Sequence, residues 1–158
     1  MVPMTAFDNA LTNVLRHEGQ FSNDARDPGG ETKFGISKKA YPDLDIPNLT
    51  VREAAEIYRR DYWTPIKGDQ MPEPIAIAIF DAAVNMGVDK SIRIFQQSMG
   101  IKVDGILGVT TLKFAGRPDA LAKFTAQRIL AYTGIRNFDL YGRGWIIRAV
   151  ETALEAKA

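Results

Sequence analysis

The chain has 158 residues, a formal net charge of +1, one histidine and no cysteine. This length suffices for one domain, or one domain with two lobes, that buries a hydrophobic core. The near-zero net charge provides no overall field toward nucleic acid or a membrane surface. The lack of cysteine excludes a disulfide framework and thiol catalysis. With a single histidine, a zinc site of the His-rich or Cys-rich kind is not expected, so we predict no metal and no cofactor.

Apolar residues at helical spacing near the N-terminus predict the first helix. They are Phe7, Ala10, Leu11, Val14 and Leu15. Gly19 is the expected stop, which puts Glu18 in the last helical turn. The negative end of the helix dipole disfavours an ionised carboxylate there. A carboxyl that keeps its proton at the rim of a cleft is suited to act as a general acid.

The segment that follows this helix is rich in turn-forming and acidic residues. From Arg16 to Ser37 the chain reads RHEGQFSNDARDPGGETKFGIS. Such a composition is typical of an ordinary solvated acidic turn, but loops on a rigid scaffold also commonly carry function. Asp27 lies nine residues after Glu18, in an Asp-Pro-Gly-Gly turn whose backbone amides and water can keep it ionised. Thr32 follows five residues later, and a small β-hairpin is expected near Phe34.

This helix-end Glu, with an Asp nine residues later and then a Thr, is similar to the catalytic arrangement of phage-type lysozymes. In the best-known members the gap from Asp to Thr is one residue longer. The whole string from His17 to Ser37 resembles glycoside hydrolase family 108, the N-acetylmuramidases of phage and bacterial origin. That family typically has two glycines after the Glu, whereas this chain has Gln20 at the second position. The resemblance implies a lysozyme-like fold, with Glu18, Asp27 and Thr32 as catalytic residues.

A capping box from Thr50 to Glu53 predicts the start of the next helix. Tyr58 on this helix is expected to pack in the core. Trp63 comes just before Pro65 and is nearer a rim position. Stacking on a sugar and packing in the core are both open for Trp63, and we retain it as a candidate substrate-binding residue.

A central helix is predicted from Pro74 to Met86, because this segment is apolar nearly all round. Asp81 and Asn85 interrupt it four residues apart and therefore share one face. Buried polar groups need partners. The two side chains either bond each other or neighbouring helices, or they form the far wall of a cleft opposite Glu18 and bind substrate. The segment FDAAVNMG resembles the corresponding helix of lysozyme-like enzymes.

Three further helices are predicted in the C-terminal part, at Ser91 to Met99, Pro118 to Thr133 and Gly144 to Ala156. Arg128 lies among apolar residues on the broad face of the second of these. A DGxxGxxT pattern that begins at Asp104 is similar to a loop of peptidoglycan-binding three-helix domains, with a plain connection as the alternative. The string YGRGWIIR looks like the closing motif that accompanies family 108 domains.

The predicted architecture is mainly α and lysozyme-like, with six or seven helices and one small β-hairpin next to the active-site loop. Residues 1–90 are expected to form the catalytic region. Residues 91–158 are expected to form a helical region of the peptidoglycan-binding type, packed against it as one compact unit.

The resemblance implies a peptidoglycan hydrolase that cuts the β-1,4 bond between N-acetylmuramic acid and N-acetylglucosamine. A lytic transglycosylase and a non-catalytic wall-binding or phage structural protein are the alternatives. Asp27 beside Glu18 favours hydrolysis, because a transglycosylase needs no second carboxylate to position water. The expected partner is the peptidoglycan glycan strand, with no nucleic acid, and we expect a monomer.

The N-terminus has no basic region followed by an apolar run, so no signal peptide is predicted. No stretch approaches the length of a membrane helix, so we expect no membrane insertion. We therefore expect a protein made in the cytoplasm that reaches the cell wall, as an endolysin does, by holin-type release or by secretion.

Overall fold

The computed structural model describes residues 2–19, 21–26 and 29–158, and this part of the chain contains seven α-helices and one two-stranded antiparallel sheet. The helices are α1 (Ala6–Glu18), α2 (Val51–Tyr58), α3 (Glu73–Met86), α4 (Val88–Ser98), α5 (Val109–Ala115), α6 (Ala120–Thr133) and α7 (Phe138–Lys157). The strands are β1 (Thr32–Lys33) and β2 (Ile36–Ser37). The predicted mainly α architecture with one small hairpin is confirmed.

Helix α3 is the centre of the fold. Every residue from Ile75 to Ala83 is buried, as expected for a helix that is apolar nearly all round. Four helices, α1, α4, α6 and α7, pack directly against it. Because α3 contacts helices on both sides of residue 90, both parts of the chain share one core around it. The division of the chain at that residue stays a prediction.

Helix α1 ends where the sequence predicts, and a capping box sets its first turn. The hydroxyl of Thr5 accepts a hydrogen bond from the backbone N–H of Asp8, and the Asp8 carboxylate accepts one from the backbone N–H of Thr5. This reciprocal capping box fixes the first turn. At the other end Gly19 takes a φ of 72°, which a glycine adopts readily. Glu18 is therefore the last helical residue, as predicted.

Helix α7 begins six residues earlier than the sequence predicts, at Phe138 instead of Gly144. Gly142 and Gly144 disfavour the earlier start, because glycine destabilises a helix interior. Packing of α7 against α3 and α6 outweighs that preference, and a local contact adds to it. The ring of Phe138 lies directly against Gly142, where a Cβ atom would overlap it. The sequence also missed α5, whose glycine-rich approach is typical of a loop.

Candidate active site

The side chain of Glu18 lies at the C-terminal end of α1 and is 23% exposed. Its Oε1 accepts a hydrogen bond of 2.7 Å from Nη1 of Arg148, which lies on α7. The two residues are 130 positions apart in the chain. A partly exposed carboxylate held on one side by a guanidinium has a defined orientation, and its open side remains accessible to a ligand.

The β-hairpin packs directly against Glu18. Its two-residue turn has positive φ at both central positions, 53° at Phe34 and 78° at Gly35, as a type I′ turn requires. The hydroxyl of Tyr58 donates a 2.7 Å hydrogen bond to the carbonyl oxygen of Phe34. A Cβ atom on Gly35 would lie 2.9 Å from the Cβ of Glu18 and 2.5 Å from the Tyr58 hydroxyl. Only glycine therefore allows this close approach of the hairpin to Glu18.

Tyr58 remains a hydrogen-bond donor at all ordinary pH values. Burial raises the pKa of its hydroxyl, and the neighbouring negative charge of Glu18 raises it further. A phenol that stays protonated can hold the hairpin carbonyl permanently. Tyr58 thus ties the hairpin to α2 beside Glu18, in keeping with the core position predicted for it.

A buried group of charges lies behind Glu18. Asp81 on α3 has no exposed surface, and its carboxylate lies between two guanidinium groups. Nη2 of Arg148 is 2.9 Å from its Oδ1, and Nη2 of Arg128 is 2.7 Å from its Oδ2. Burial raises the pKa of Asp81, but the positive charges of Arg128 and Arg148 outweigh it, so the pKa lies below its usual value. Asp81 is therefore ionised.

Arg148 connects this buried group to Glu18. Its Nε donates a 3.0 Å hydrogen bond to the Asp81 carboxylate, and its Nη2 lies 2.9 Å from the same carboxylate. Its Nη1 donates to Glu18. The planar fork of an arginine can contact two carboxylates at once, whereas a lysine ammonium cannot reproduce this geometry. The position of Glu18 is therefore set by α7 and, through Asp81, by α3.

The structure corrects the prediction that Asp81 binds substrate. Because Asp81 is fully buried, its carboxylate has no surface on which a glycan could bind, and it acts on the site only through Arg148. Asp81 and Asn85 do not bond each other. The Oδ1 of Asn85 accepts a 2.8 Å hydrogen bond from the hydroxyl of Tyr132, and that hydroxyl accepts a 2.7 Å bond from Nε of Arg128. Asn85 is only partly buried, so a substrate contact for it stays a prediction.

Trp63 lies in the core and not at the rim. It is fully buried, its ring packs edge-on against Phe7 and Phe80 at 5.6 and 5.5 Å between centroids, and its Nε1 donates to Asp69. No face of the indole is free to stack on a sugar, so the substrate-binding prediction is wrong for Trp63. The reason is a π-helical turn, Arg59–Trp63, that continues α2 and turns the indole inward.

Of the other two predicted catalytic residues, only Thr32 lies within the described residues. Thr32 is the first residue of β1 and is partly buried, and its hydroxyl donates to the carbonyl of Gly30 at 3.2 Å. Its backbone pairs with Ser22 through bonds of 2.7 and 2.8 Å, which closes the loop on itself. Asp27 lies outside the described residues. The rival carboxylate, Asp24, is occupied by the Arg26 side chain at 2.8 and 3.0 Å.

Sequence reasoning gave no role to Arg128 or Arg148, the two arginines that organise the site. The available signal was Arg128 on a predicted inward face, because a buried charge requires a partner. Asp81, on the predicted buried helix, is likewise a charged residue in a buried position, and its charge is opposite to that of Arg128. The ion pairs of Asp81 with Arg128 and Arg148 could not be predicted from the sequence, because these residues are far apart in the chain.

Two features of the described residues bear on the class of site. Within residues 2–19, 21–26 and 29–158, no group of three or more His, Cys, Asp or Glu side chains is arranged to hold a metal ion. None of the helices in the same ranges is both long and apolar enough to cross a membrane.

Comparison with known proteins agrees with the fold. Residues 11–87 match the family described as Glycosyl hydrolase 108. The fold is similar to the structure of Brucella abortus SagA, with a TM-score of 0.83 and 28% sequence identity over 96% of this chain and 93% of that one. No curated protein matches the chain. The chain thus has a lysozyme-like, mainly α fold. The match over residues 11–87 and the similarity to SagA support membership of glycosyl hydrolase family 108, and hence a glycosidase that acts on peptidoglycan.

Proposed function

We propose that the protein cleaves the β-1,4 bond between N-acetylmuramic acid and N-acetylglucosamine in peptidoglycan, with Glu18 as the general acid. The position of Glu18 carries this proposal. It is the last residue of α1, its side chain is partly exposed, and Arg148 holds one of its oxygens. It also lies inside the family-matched segment. A fixed, accessible carboxyl is what proton donation to a glycosidic oxygen requires.

The reaction begins with transfer of the Glu18 proton to the glycosidic oxygen as the bond from C1 to that oxygen breaks. Because Oε1 is bonded to Arg148, we assign the proton to Oε2. A water molecule then adds to C1 of the muramic acid, and its proton passes to a second carboxylate. We assign that carboxylate to Asp27 and the positioning of the water to Thr32, both from their places in the sequence.

Arg148 is proposed as a positioning residue for Glu18. Proton donation turns a neutral carboxyl into a carboxylate, and a nearby guanidinium stabilises that developing negative charge. The interaction of Arg148 with Asp81, at 2.9 and 3.0 Å, fixes the guanidinium before substrate arrives. Preorganisation of this kind stabilises the transition state without a reorganisation at the moment of reaction.

Glu18→Gln tests the proposal directly. Glutamine keeps the shape of the side chain but cannot donate the proton, so we expect clearing of purified peptidoglycan to slow by roughly two orders of magnitude or more. Glu31→Gln is the matched control, since it removes a carboxylate from the same segment and should leave the rate nearly unchanged. Near wild-type clearing by Glu18→Gln, with an unchanged circular dichroism spectrum, means that Glu18 is not the acid.

Mass spectrometry of the released fragments tests the reaction type. Hydrolysis leaves reducing N-acetylmuramic acid ends, whereas a lytic transglycosylase leaves anhydro ends. Fragments with reducing N-acetylglucosamine ends would show that the other glycosidic bond is cut. The substrate lies in the cell wall, so we propose that the protein acts there. Delivery by holin-type release or secretion, as for a phage endolysin, stays a prediction.

A further inference from the structure

Helix α7 carries an exposed apolar stripe on the face that points away from the core. Four residues form this stripe: Leu140 (75% exposed), Ile147 (44%), Val150 (40%) and Leu154 (67%). Leu140, Ile147 and Leu154 follow one another at intervals of seven residues, the spacing that helices use to pack against each other along a seam. At 3.6 residues per turn their side chains project within about 40° of one another. Apolar residues grouped in this way mark an interaction surface.

The opposite face of α7 packs against the rest of the chain. Ala149 and Thr152 are buried against the core, and Asn13 on α1 donates to Thr152. The side chain of Arg148 projects about 100° around the helix axis from that of Ile147, and it contacts Glu18. A partner on the stripe would therefore leave Glu18 and its surroundings accessible.

We propose that the stripe is a dimer interface, in which two copies of α7 pack antiparallel around a two-fold axis at Ile147. Residues at equal distances on either side of Ile147 then come to the same level on the two helices. Leu140 of one copy lies opposite Leu154 of the other at each end of the stripe, and the two Ile147 side chains meet at the centre. The apolar pattern is thus complementary to itself, as a two-fold interface requires.

The charges beside the stripe follow the same symmetry. Arg143 and Glu151 are four residues before and four residues after Ile147, so each lies level with the other across the dimer. Both are exposed, and neither has an ion-pair partner among the residues that the structure describes. In the dimer two Arg143–Glu151 pairs flank the central contact. A parallel arrangement would instead put like charges at the same level, which is unfavourable.

A pocket at the end of the stripe supports the same pairing. It has a volume of about 670 Å³, lies between α6 and α7, and is lined by Ala126, Ile129, Ala153 and Leu154 among other mainly apolar residues. In the antiparallel dimer Leu140 of the partner comes to the level of Leu154, beside this pocket. Each copy therefore supplies both a protruding leucine and a pocket that can receive one. Exposure on α7 cannot be read before the fold is known, so the expectation of a monomer took no account of this stripe.

Sedimentation of the wild-type protein and of Ile147→Asp over a broad range of concentration tests the dimer. The substitution puts two like charges on the axis, and we expect the dimer dissociation constant to rise roughly a hundredfold or more. Val109→Asp is the matched control, because Val109 is 86% exposed on α5, away from the stripe. It should leave dimerisation unchanged. A wild-type protein that stays monomeric at every concentration overturns the proposal and leaves the stripe to a different partner.

Reversal of the flanking charges tests the antiparallel arrangement. Arg143→Glu alone puts two acidic residues opposite each other, and Glu151→Arg alone puts two basic ones there, so each should weaken the dimer by about tenfold. The double variant restores opposite charges and should recover the wild-type dissociation constant. Additive weakening in the double variant contradicts the pairing.

Introduced cysteines report the register, since the native chain has none. Packed helices with axes 8–10 Å apart bring facing Cα atoms to roughly 5 Å, within reach of a disulfide. Ile147→Cys should therefore cross-link on mild oxidation. Two copies of Leu140→Cys lie about 21 Å apart along the axis and should not cross-link alone, but should do so when mixed with Leu154→Cys. Rapid self-linking of Leu140→Cys overturns the antiparallel register.

Discussion

Asp81→Asn removes the negative charge that lies between two arginines while it keeps the shape of the side chain. Asp81 is fully buried, and Arg128, which is 1% exposed, is 2.7 Å from it. Arg148 retains Glu18 as a second partner. Arg128 has no other carboxylate within ion-pair distance in the described part of the chain. The substitution therefore leaves a buried guanidinium without a counter-charge.

The expected loss of stability is large. Removal of one partner from a buried ion pair typically costs about 3–5 kcal/mol. With an unfolding entropy of about 2.1 cal/mol/K per residue, a chain of 158 residues has an entropy of roughly 0.33 kcal/mol/K. The melting temperature should therefore fall by roughly 9–15 °C. Differential scanning calorimetry at neutral pH measures this shift.

Asp119→Asn is the matched control, since Asp119 also has two cationic partners. Its ion pairs with Arg117 and Lys123, at 3.0 and 3.1 Å, lie at the surface, and its side chain is 38% exposed. Exposed pairs of this kind contribute about 0–1 kcal/mol, so the melting temperature should change by about 3 °C or less. If Asp81→Asn melts as close to wild type as this control does, the buried ion pairs do not stabilise the fold as argued.

Acidification provides a second measurement on the same pair of proteins. The folded-state pKa of Asp81 lies below its usual value. Its contribution to stability is therefore fully present above the usual range near pH 4, and it is lost as the pH falls through the folded-state pKa. The difference in unfolding free energy between wild type and Asp81→Asn should stay constant from about pH 5 to pH 8 and shrink below about pH 4. A difference that shrinks already near pH 6 contradicts the assignment to Asp81.

Three further predictions concern catalysis. Asp27→Asn should lower the turnover of peptidoglycan sharply, and Asp24→Asn should lower it only slightly, because the Arg26 side chain already bonds Asp24. The opposite order of rates in a clearing assay would move the role of second carboxylate to Asp24. Arg148→Lys keeps the charge but cannot contact both carboxylates, so kcat should fall while KM holds, and Arg148→Met should be slower still. Wild-type rates for both variants would mean that neither the charge nor the geometry at this position matters. We predict hydrolysis with inversion, for which a carboxylate separation of roughly 6.5–9.5 Å leaves room for a water. A loop of eight residues separates Glu18 from Asp27, and Thr32 provides a second polar group to fix a water that a nucleophilic Asp27 would not need. Proton NMR of the first product tests this, and a β-anomer at the new reducing end would mean retention.

Local sequence determined the elements whose boundaries depend on neighbouring residues. The stop at Gly19 puts Glu18 at the end of α1, and the structure has it there. The capping box at Thr50 likewise begins α2. Helix caps and glycine stops act within a few residues, so their signals can be read without the fold. The family resemblance of the acidic loop depended on contiguous residues too, and the match over residues 11–87 confirms it.

The tertiary structure alone decided where the polar and aromatic side chains point. Trp63 turns inward because a π-helical turn extends α2, and Asp81 is buried because two arginines from distant helices neutralise it. The sequence determined that Glu18 ends a helix beside an acidic loop. It could not determine that Arg148, 130 residues later, would hold that carboxylate. The physical reason is that an ion pair depends on distance in space, which the chain sets only when α1, α3 and α7 pack together.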